Sequence, residues 1–263
     1  MNHEQLIRHL EKTRIAGDVN TPRESNVANI TKMLNRQWDY HFGLTTDRDW
    51  TADEVLKLLA HRVGVDPDPA RVSGRDRIDP ERTLEAVDAA ADLLAEAAAN
   101  RARVIVATGH PTGVLSLHLV VAARLAAAGC EVLTPGEGRF LAADHLPPRA
   151  RIRYLGNVAM LSNGADFLHT HAAEPMQAVL AAASDAGLRP DLVVADHGWA
   201  GTAAEAGITT IGLADTNDPA MFVGAEEGKV AVAVPLDDNV PPAHYLPLAE
   251  HLVRRLPSTQ PST

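Results

Sequence analysis

A mostly parallel α/β sheet wound by helices on both faces is the fold class the sequence predicts, and three observations predict it. From Arg103 onward, short continuous apolar runs recur, beginning with Val104-Ile105-Val106-Ala107, the pattern of strands buried on both faces. Helical patterns separate several of these runs, and alternating strands and helices imply right-handed crossovers between parallel strands. The runs end in polar residues, as in Gly109-His110-Pro111 and Asp196-His197-Gly198, which gathers side chains beyond the carboxyl ends of the strands, where open α/β sheets bind ligands. The reading is therefore a Rossmann-like doubly wound domain over residues 79–256, with a helical N-terminal segment, 1–78, packed on it.

Taken in order, Leu6, Ile7 and Leu10, then Val27, Ile30, Met33 and Leu34, fall at helical spacing, and no strand is read in this segment. Asp79-Pro80-Glu81 offers an N-cap followed by Pro at the first helical position, so a helix is expected over 80–99. After the strand at Val104 comes a helix over about 113–128. Further strands are read at 131–133, 152–155, 167–168, 192–195, 210–213 and 230–234, with helices at 175–186, 201–206 and 242–255. Residues 257–263, polar and Pro-rich, read as a flexible tail.

Composition narrows the function classes. In 263 residues, 46% hydrophobic and 22% charged, there is enough apolar surface for a sizeable core. A formal net charge of -10 with no Lys/Arg cluster argues against nucleic acid as a partner. No apolar run reaches the roughly 18 residues that a membrane span needs, and the N-terminus lacks the order of a signal peptide. With the single cysteine, Cys130, reading as a buried structural thiol, the expected location is cytoplasmic. A homo-oligomer is left open.

Candidate site residues follow the apolar runs. Thr108-Gly109-His110-Pro111-Thr112-Gly113 reads either as a phosphate-cradling turn, in which Gly109, His110, Thr112 and Gly113 bind the anion, or as an ordinary strand-to-helix turn. His169 and His171, two apart, share a side if extended and could chelate a metal or hold a phosphoryl group; a structural pair is the competing account. Asp196, directly at a strand end and followed by His197-Gly198, is expected to be a metal ligand and catalytic residue, with His169, His171 or His197 as general acid or phosphate donor. Asp215, in Asp215-Thr216-Asn217-Asp218-Pro219, and Asp237, in Asp237-Asp238-Asn239, complete a carboxylate set suited to a divalent metal, with Mg²⁺ expected because it takes hard oxygen ligands. Capping competes for Asp218, before Pro219, and a turn competes for Asp237. Arg23 is expected to supply phosphate with a cationic fork if its segment folds over the crevice.

Missing motifs exclude other chemistry. Pro135-Gly136-Glu137-Gly138-Arg139 lacks the third glycine of a dinucleotide fingerprint, and neither a Walker A loop nor a Gly-x-Ser-x-Gly elbow occurs. Through Gly109-His110-Pro111-Thr112-Gly113, His169-Thr170-His171-Ala172-Ala173-Glu174-Pro175-Met176, Asp196-His197-Gly198-Trp199-Ala200-Gly201 and Asp215-Thr216-Asn217-Asp218-Pro219, nearly the whole chain resembles an actinobacterial protein family labelled phosphatase. Neither an Asp-x-Asp-x-Thr nor an Arg-His-Gly motif is present, so the haloacid-dehalogenase and histidine-phosphatase mechanisms are not implied. The expected function is metal-assisted hydrolysis of a small phosphorylated metabolite. A nucleotide-sugar or phosphosugar transferase and a non-catalytic sensor of a phosphorylated metabolite are the alternatives.

Overall fold

The structure, a computed structural model, describes residues 1–257; apart from Pro257, the expected tail lies outside them. The apolar run at Val104 forms β3 (Arg103–Ala107), and Leu192-Val193-Val194-Ala195 forms β8 (Leu192–Asp196) beside it. Continuing outward in parallel are β9 (Thr209–Ala214) and β10 (Val232–Pro235). On its other side β3 pairs in parallel with the short β4 (Glu131–Val132) and, further along, with β6 (Val158–Ser162). Antiparallel pairing of β5 (Arg151–Leu155) and β7 (Phe167–Leu168) with β6 completes the central sheet. The strand order is β10-β9-β8-β3-β6-β5, so the chain winds away in both directions from the boundary between β3 and β8. That boundary is a topological switch point, where the loops on either side diverge and leave a crevice at the carboxyl ends.

Helices cover both faces, as the burial of the central strands β3, β8 and β9 requires. One layer contains α4 (Pro80–Ala99), α5 (Leu115–Ala127) and α9 (Leu246–Leu252), which pack against one another. The other contains α6 (Glu174–Asp185), α7 (His197–Glu205) and α8 (Pro219–Glu226), joined by α2 (Arg23–Leu34) and α3 (Ala52–Arg62). Asp79 caps α4 by accepting from the Glu81 amide, as the sequence predicts. Among the described residues, no helix is long and apolar enough to cross a membrane. Cys130 is buried, its thiol free.

Several elements depart from the expected order. The N-terminal segment is not wholly helical, because β1 (Gly17–Pro22) and β2 (Arg75–Ile78) form an antiparallel pair. Their Asp, Asn, Arg and Pro residues are poor strand formers, and the pairing is set by tertiary contacts instead. The expected 201–206 helix starts at His197, and β6 was not expected as a separate element.

The β1–β2 ribbon is tied to α2 by a buried ion pair. Arg23 Nη1 donates to Asp76 Oδ2 at 3.0 Å, while Nε and Nη2 donate to the Arg71 and Asp68 carbonyls. Neither charged side chain is exposed to solvent, and Asn26 Nδ2 donates to the same Asp76 oxygen at 2.6 Å. Removing Asp76 leaves the Arg23 guanidinium buried without a countercharge. Asp76→Ala is therefore expected to cost about 3–5 kcal/mol in urea unfolding; near-wild-type stability contradicts this role for the pair.

Candidate functional site

Five segments at the carboxyl end of the sheet bring their side chains to one cleft of about 300 Å³. His110 arrives on the turn after β3, His169 and His171 on the chain after β7, and His197 on the turn out of β8. The turn after β9 supplies Asp215, Asn217 and Asp218, and that after β10 supplies Asp237 and Asp238. From the N-terminal ribbon, Asn20 and Thr21 of β1 close the rim.

Local backbone constraints aim these groups. His197 has φ 47°, a left-handed conformation unfavourable for a residue with a β-carbon, at the abrupt step from β8 into α7. Gly198 follows because a Cβ there would collide with the His171 and Ala172 carbonyls, so the His169–His171 segment lies directly against this turn. Gly113 is needed for a similar reason, its position being crowded by the Asp238 carbonyl. Close approach thus brings the strand turns into a single constellation.

The imidazoles face one another. His169 Nε2 and His171 Nε2 are 3.1 Å apart, and the His110 and His169 rings stack at 4.3 Å between centroids, as do those of His171 and His197 at 4.6 Å. His171 Nδ1 donates to the Asp39 carbonyl at 3.0 Å, which leaves its Nε2 with a lone pair directed into the cleft. Two nitrogens each about 2.1 Å from one ion at a right angle stand about 3 Å apart, so the spacing suits a shared cation. His197 Nε2 lies 3.3 Å from Asp238 Oδ2 and 3.7 Å from Asp218 Oδ2. Asp218 Oδ2 accepts from the Asp215 amide, and Asp215 Oδ2 accepts from Thr21 Oγ1.

Burial and crowding act oppositely on different members. Burial works against a charge on His197, but Asp218, Asp196 and Asp238 outweigh it and raise its pKa to about 10. Burial likewise opposes charging His110, yet Asp238 raises its pKa on balance. Burial and the neighbouring imidazoles lower His169 to about 4 and His171 to about 3. Asp215 is pushed well up, first by burial and then by Asp238 and Asp237, while burial raises Asp218 to about 7 against the pull of His197. For Asp238 the charge and contact of His110 and the charge of His197 overcome burial and lower its pKa.

Three overlapping groups, His110/His169/His197, His197/Asp218/Asp238 and Asp215/Asp237/Asp238, each bring candidate ligand atoms within 4.8 Å of one another. His110 Nδ1 and Asp238 Oδ2 approach to 3.2 Å but lack hydrogen-bond alignment, and both are buried with no hydrogen bond among the described residues. Orphaned donors and acceptors in a mixed imidazole and carboxylate set fit a divalent metal.

Of the residues expected from sequence, His110, His169, His171, His197, Asp215 and Asp237 meet in this cleft. Asp196 does not line it and belongs to none of the three groups. Its Oδ1 accepts from the Gly109 amide at 2.6 Å and from His197 Nδ1 at 2.9 Å, which orients that imidazole from behind, while its buried Oδ2 makes no hydrogen bond among the described residues. In the turn after β3 the Gly109 amide donates to Asp196, the Gly113 amide donates to the His110 carbonyl, and Thr112 is exposed. Arg23, buried in its pair with Asp76, does not reach the cleft. Asp218 stands at the α8 N-cap position, but its side chain makes no capping hydrogen bond and faces the site.

Besides Asn20 and Thr21, two contributors lie outside the residues expected from sequence. His118 on α5 donates from Nδ1 to the Val114 carbonyl and turns Nε2 toward Asp196 Oδ2 at 3.6 Å, a fully buried histidine behind the site. A lone His on the apolar face Leu117, Val121 and Leu125 was its signal. Phe42 packs edge-on against His171 and His197, at 5.1 and 5.4 Å, without any pattern around it that marks the role.

The fold and site define a doubly wound α/β protein with a histidine–aspartate centre at its switch point. Over residues 1–260 the chain matches the family described as Phosphatase, and it belongs to that family. It is similar to Phosphatase SCO2771 of Streptomyces coelicolor (strain ATCC BAA-471 / A3(2) / M145), with 44% identity over 252 residues, covering 95% of this chain and 94% of the relative. Family membership and this relative support a phosphatase as the enzyme class, with a phosphorylated substrate.

Asp215 provides a test of the electrostatics. Because its folded pKa lies above the unfolded value of 3.8, the folded state holds the extra proton, and stability falls as pH rises from that value through the folded one. Asp215→Asn is expected to raise the melting temperature of EDTA-treated protein at pH 7.5, by about 1 kcal/mol of stability, and to diminish the rise produced by added Mn²⁺ in wild type. A lower melting temperature without metal contradicts this account.

Proposed function

We propose that the chain is a metal-dependent phosphomonoesterase acting on a small phosphorylated metabolite in the cytoplasm. The observation that carries the reading is the meeting of His110, His169, His171 and His197 with Asp215, Asp218, Asp237 and Asp238 in one cleft. Asp215, Asp237 and Asp238 suit Mg²⁺, which prefers oxygen ligands, whereas the neutral imidazoles of His169 and His171 suit a borderline ion such as Mn²⁺ or Zn²⁺. A divalent cation bound there would neutralise phosphoryl charge and make water more acidic.

The chain's own residues supply the proton transfers and the orientation. Asp218, raised by burial to about 7, takes a proton from the attacking water at Oδ2, close to the pKa that favours a general base at neutral pH. The water oxygen bonds to phosphorus, the ester P–O bond breaks, and His110, kept charged by Asp238, gives its proton to the departing oxygen. His169 and His171 present their Nε2 atoms to the ion or the phosphoryl group. Asp196 acts as a positioning residue, holding His197 by Nδ1 so that Nε2 faces Asp218 and Asp238.

Purified protein is expected to release phosphate from monoesters with Mg²⁺ or Mn²⁺ and to stop in EDTA; no release from any ester with any divalent ion contradicts the reading. Asp218→Asn should lower kcat by about 10²- to 10⁴-fold. His110→Gln should hurt glycerol 1-phosphate more than phenyl phosphate, since phenolate leaves with less help from an acid. Asp196→Asn should retain the fold and lose about 10- to 100-fold in activity or metal affinity, read as a shift in the Mn²⁺ concentration for half-maximal rate; unchanged metal dependence and rate remove its positioning role.

A further inference from the structure

A second cavity, of about 310 Å³, shares His169 and His171 with the histidine–aspartate cleft, so one short segment forms a wall of both. Its character is different. Leu146, Pro147, Leu161 and Leu168 give it apolar sides, and Trp38 stands at its edge with 55% of its surface exposed, an unusual position for an indole. The Trp38 ring lies 4.0 Å from that of His145, and His145 Nε2 is in turn 3.3 Å from Glu174 Oε1. The two ring planes are tilted by 39°, so the imidazole, held by an acid, props the indole, whose exposed part makes an aromatic shelf beside the groove.

Size and charge limit what can sit there. The volume is at the lower end of small-ligand pockets, enough for a ring system but not for a polymer. No Lys or Arg lines it, while Asp39 does, so a second anionic group on the ligand has no partner and an uncharged or cationic ring is favoured. Aromatic faces recognise planar π-systems by stacking, largely without regard to their exact substituents.

We propose that this groove is the leaving-group subsite, taking the planar aromatic or heteroaromatic part of a phosphate monoester whose phosphate occupies the neighbouring cleft. The assignment rests on the phosphatase reading for its orientation: the ester bond lies at the His169–His171 wall, phosphate on one side and ring on the other. Aryl phosphates and nucleoside monophosphates belong to the substrate class, and short alkyl phosphates are poor substrates because they leave the shelf uncovered.

The test compares phenyl phosphate, adenosine 5′-monophosphate and glycerol 1-phosphate with Mn²⁺-loaded wild-type protein, Trp38→Ala and Trp38→Phe. The expected result is a fall of about tenfold in kcat/KM for the two ring esters in Trp38→Ala, less than twofold change for glycerol 1-phosphate, and recovery in Trp38→Phe. Equal losses on all three esters, no loss on any, or a wild-type preference for glycerol 1-phosphate overturns the subsite. Binding of phenylphosphonate and methylphosphonate, followed by calorimetry, decides the matter without turnover. Tighter phenylphosphonate binding that Trp38→Ala abolishes supports the subsite even if no ester is hydrolysed, in which case the phosphatase reading alone fails. Equal affinity for the two phosphonates refutes the subsite even in an active phosphatase.

Discussion

Asp215, Asp218, Asp237 and Asp238 are brought out of water at one end of the sheet, and their mutual repulsion is the constraint around which the rest of the site is arranged. Buried carboxylates at this spacing need countercharge, protons or donors. The chain supplies each: a charged His197 between Asp218 and Asp238, a raised pKa at Asp215, and Thr21, Thr216 and backbone amides as donors. Such an arrangement carries a cost in stability that a bound cation can offset, which links metal, folding and activity through the same atoms.

The supporting structure keeps that cluster in place from several directions. Asp196 and His118 stand behind His197, the Asp39 carbonyl fixes the tautomer of His171, and Phe42 packs against both imidazoles. The loop bearing Asp39 and Phe42 and the ribbon bearing Asn20 and Thr21 both come from the N-terminal part of the chain, which is therefore part of the site and not an appendage to it. Arg23, sequestered with Asp76, anchors that ribbon.

Strong local signals made much of this legible. Continuous apolar runs located β3, β8 and β9, and the polar residues after them located His110, His197 and Asp215, because a buried strand that stops at a sheet edge is marked by both composition and punctuation. The β5–β6 hairpin had its own mark, Gly156-Asn157 between paired Leu155 and Val158, with both turn residues at positive φ, and it went unread because the apolar run Val158-Ala159-Met160-Leu161 was not separated from its neighbours. Strand β1 carries no such mark, since Asp18, Asn20 and Pro22 read as loop. The direction of the Asp196 side chain was not legible for a geometric reason. A strand-end carboxylate can point into the crevice or back toward the next turn, and only the fold decides which; here the Gly109 amide and His197 Nδ1 take it. Asp218 is the converse, a residue at an N-cap position whose carboxylate is directed elsewhere.

We propose that the neutral imidazoles and the carboxylates hold a divalent cation at the switch point of the sheet. Diffraction from crystals soaked in Mn²⁺, collected at a wavelength where manganese scatters anomalously, puts this to the test. An anomalous peak is expected within coordination distance of side chains drawn from His169, His171, Asp215, Asp237 and Asp238. Mn²⁺ absent from this cleft at saturating concentration, with the same side chains ordered and unliganded, would contradict it.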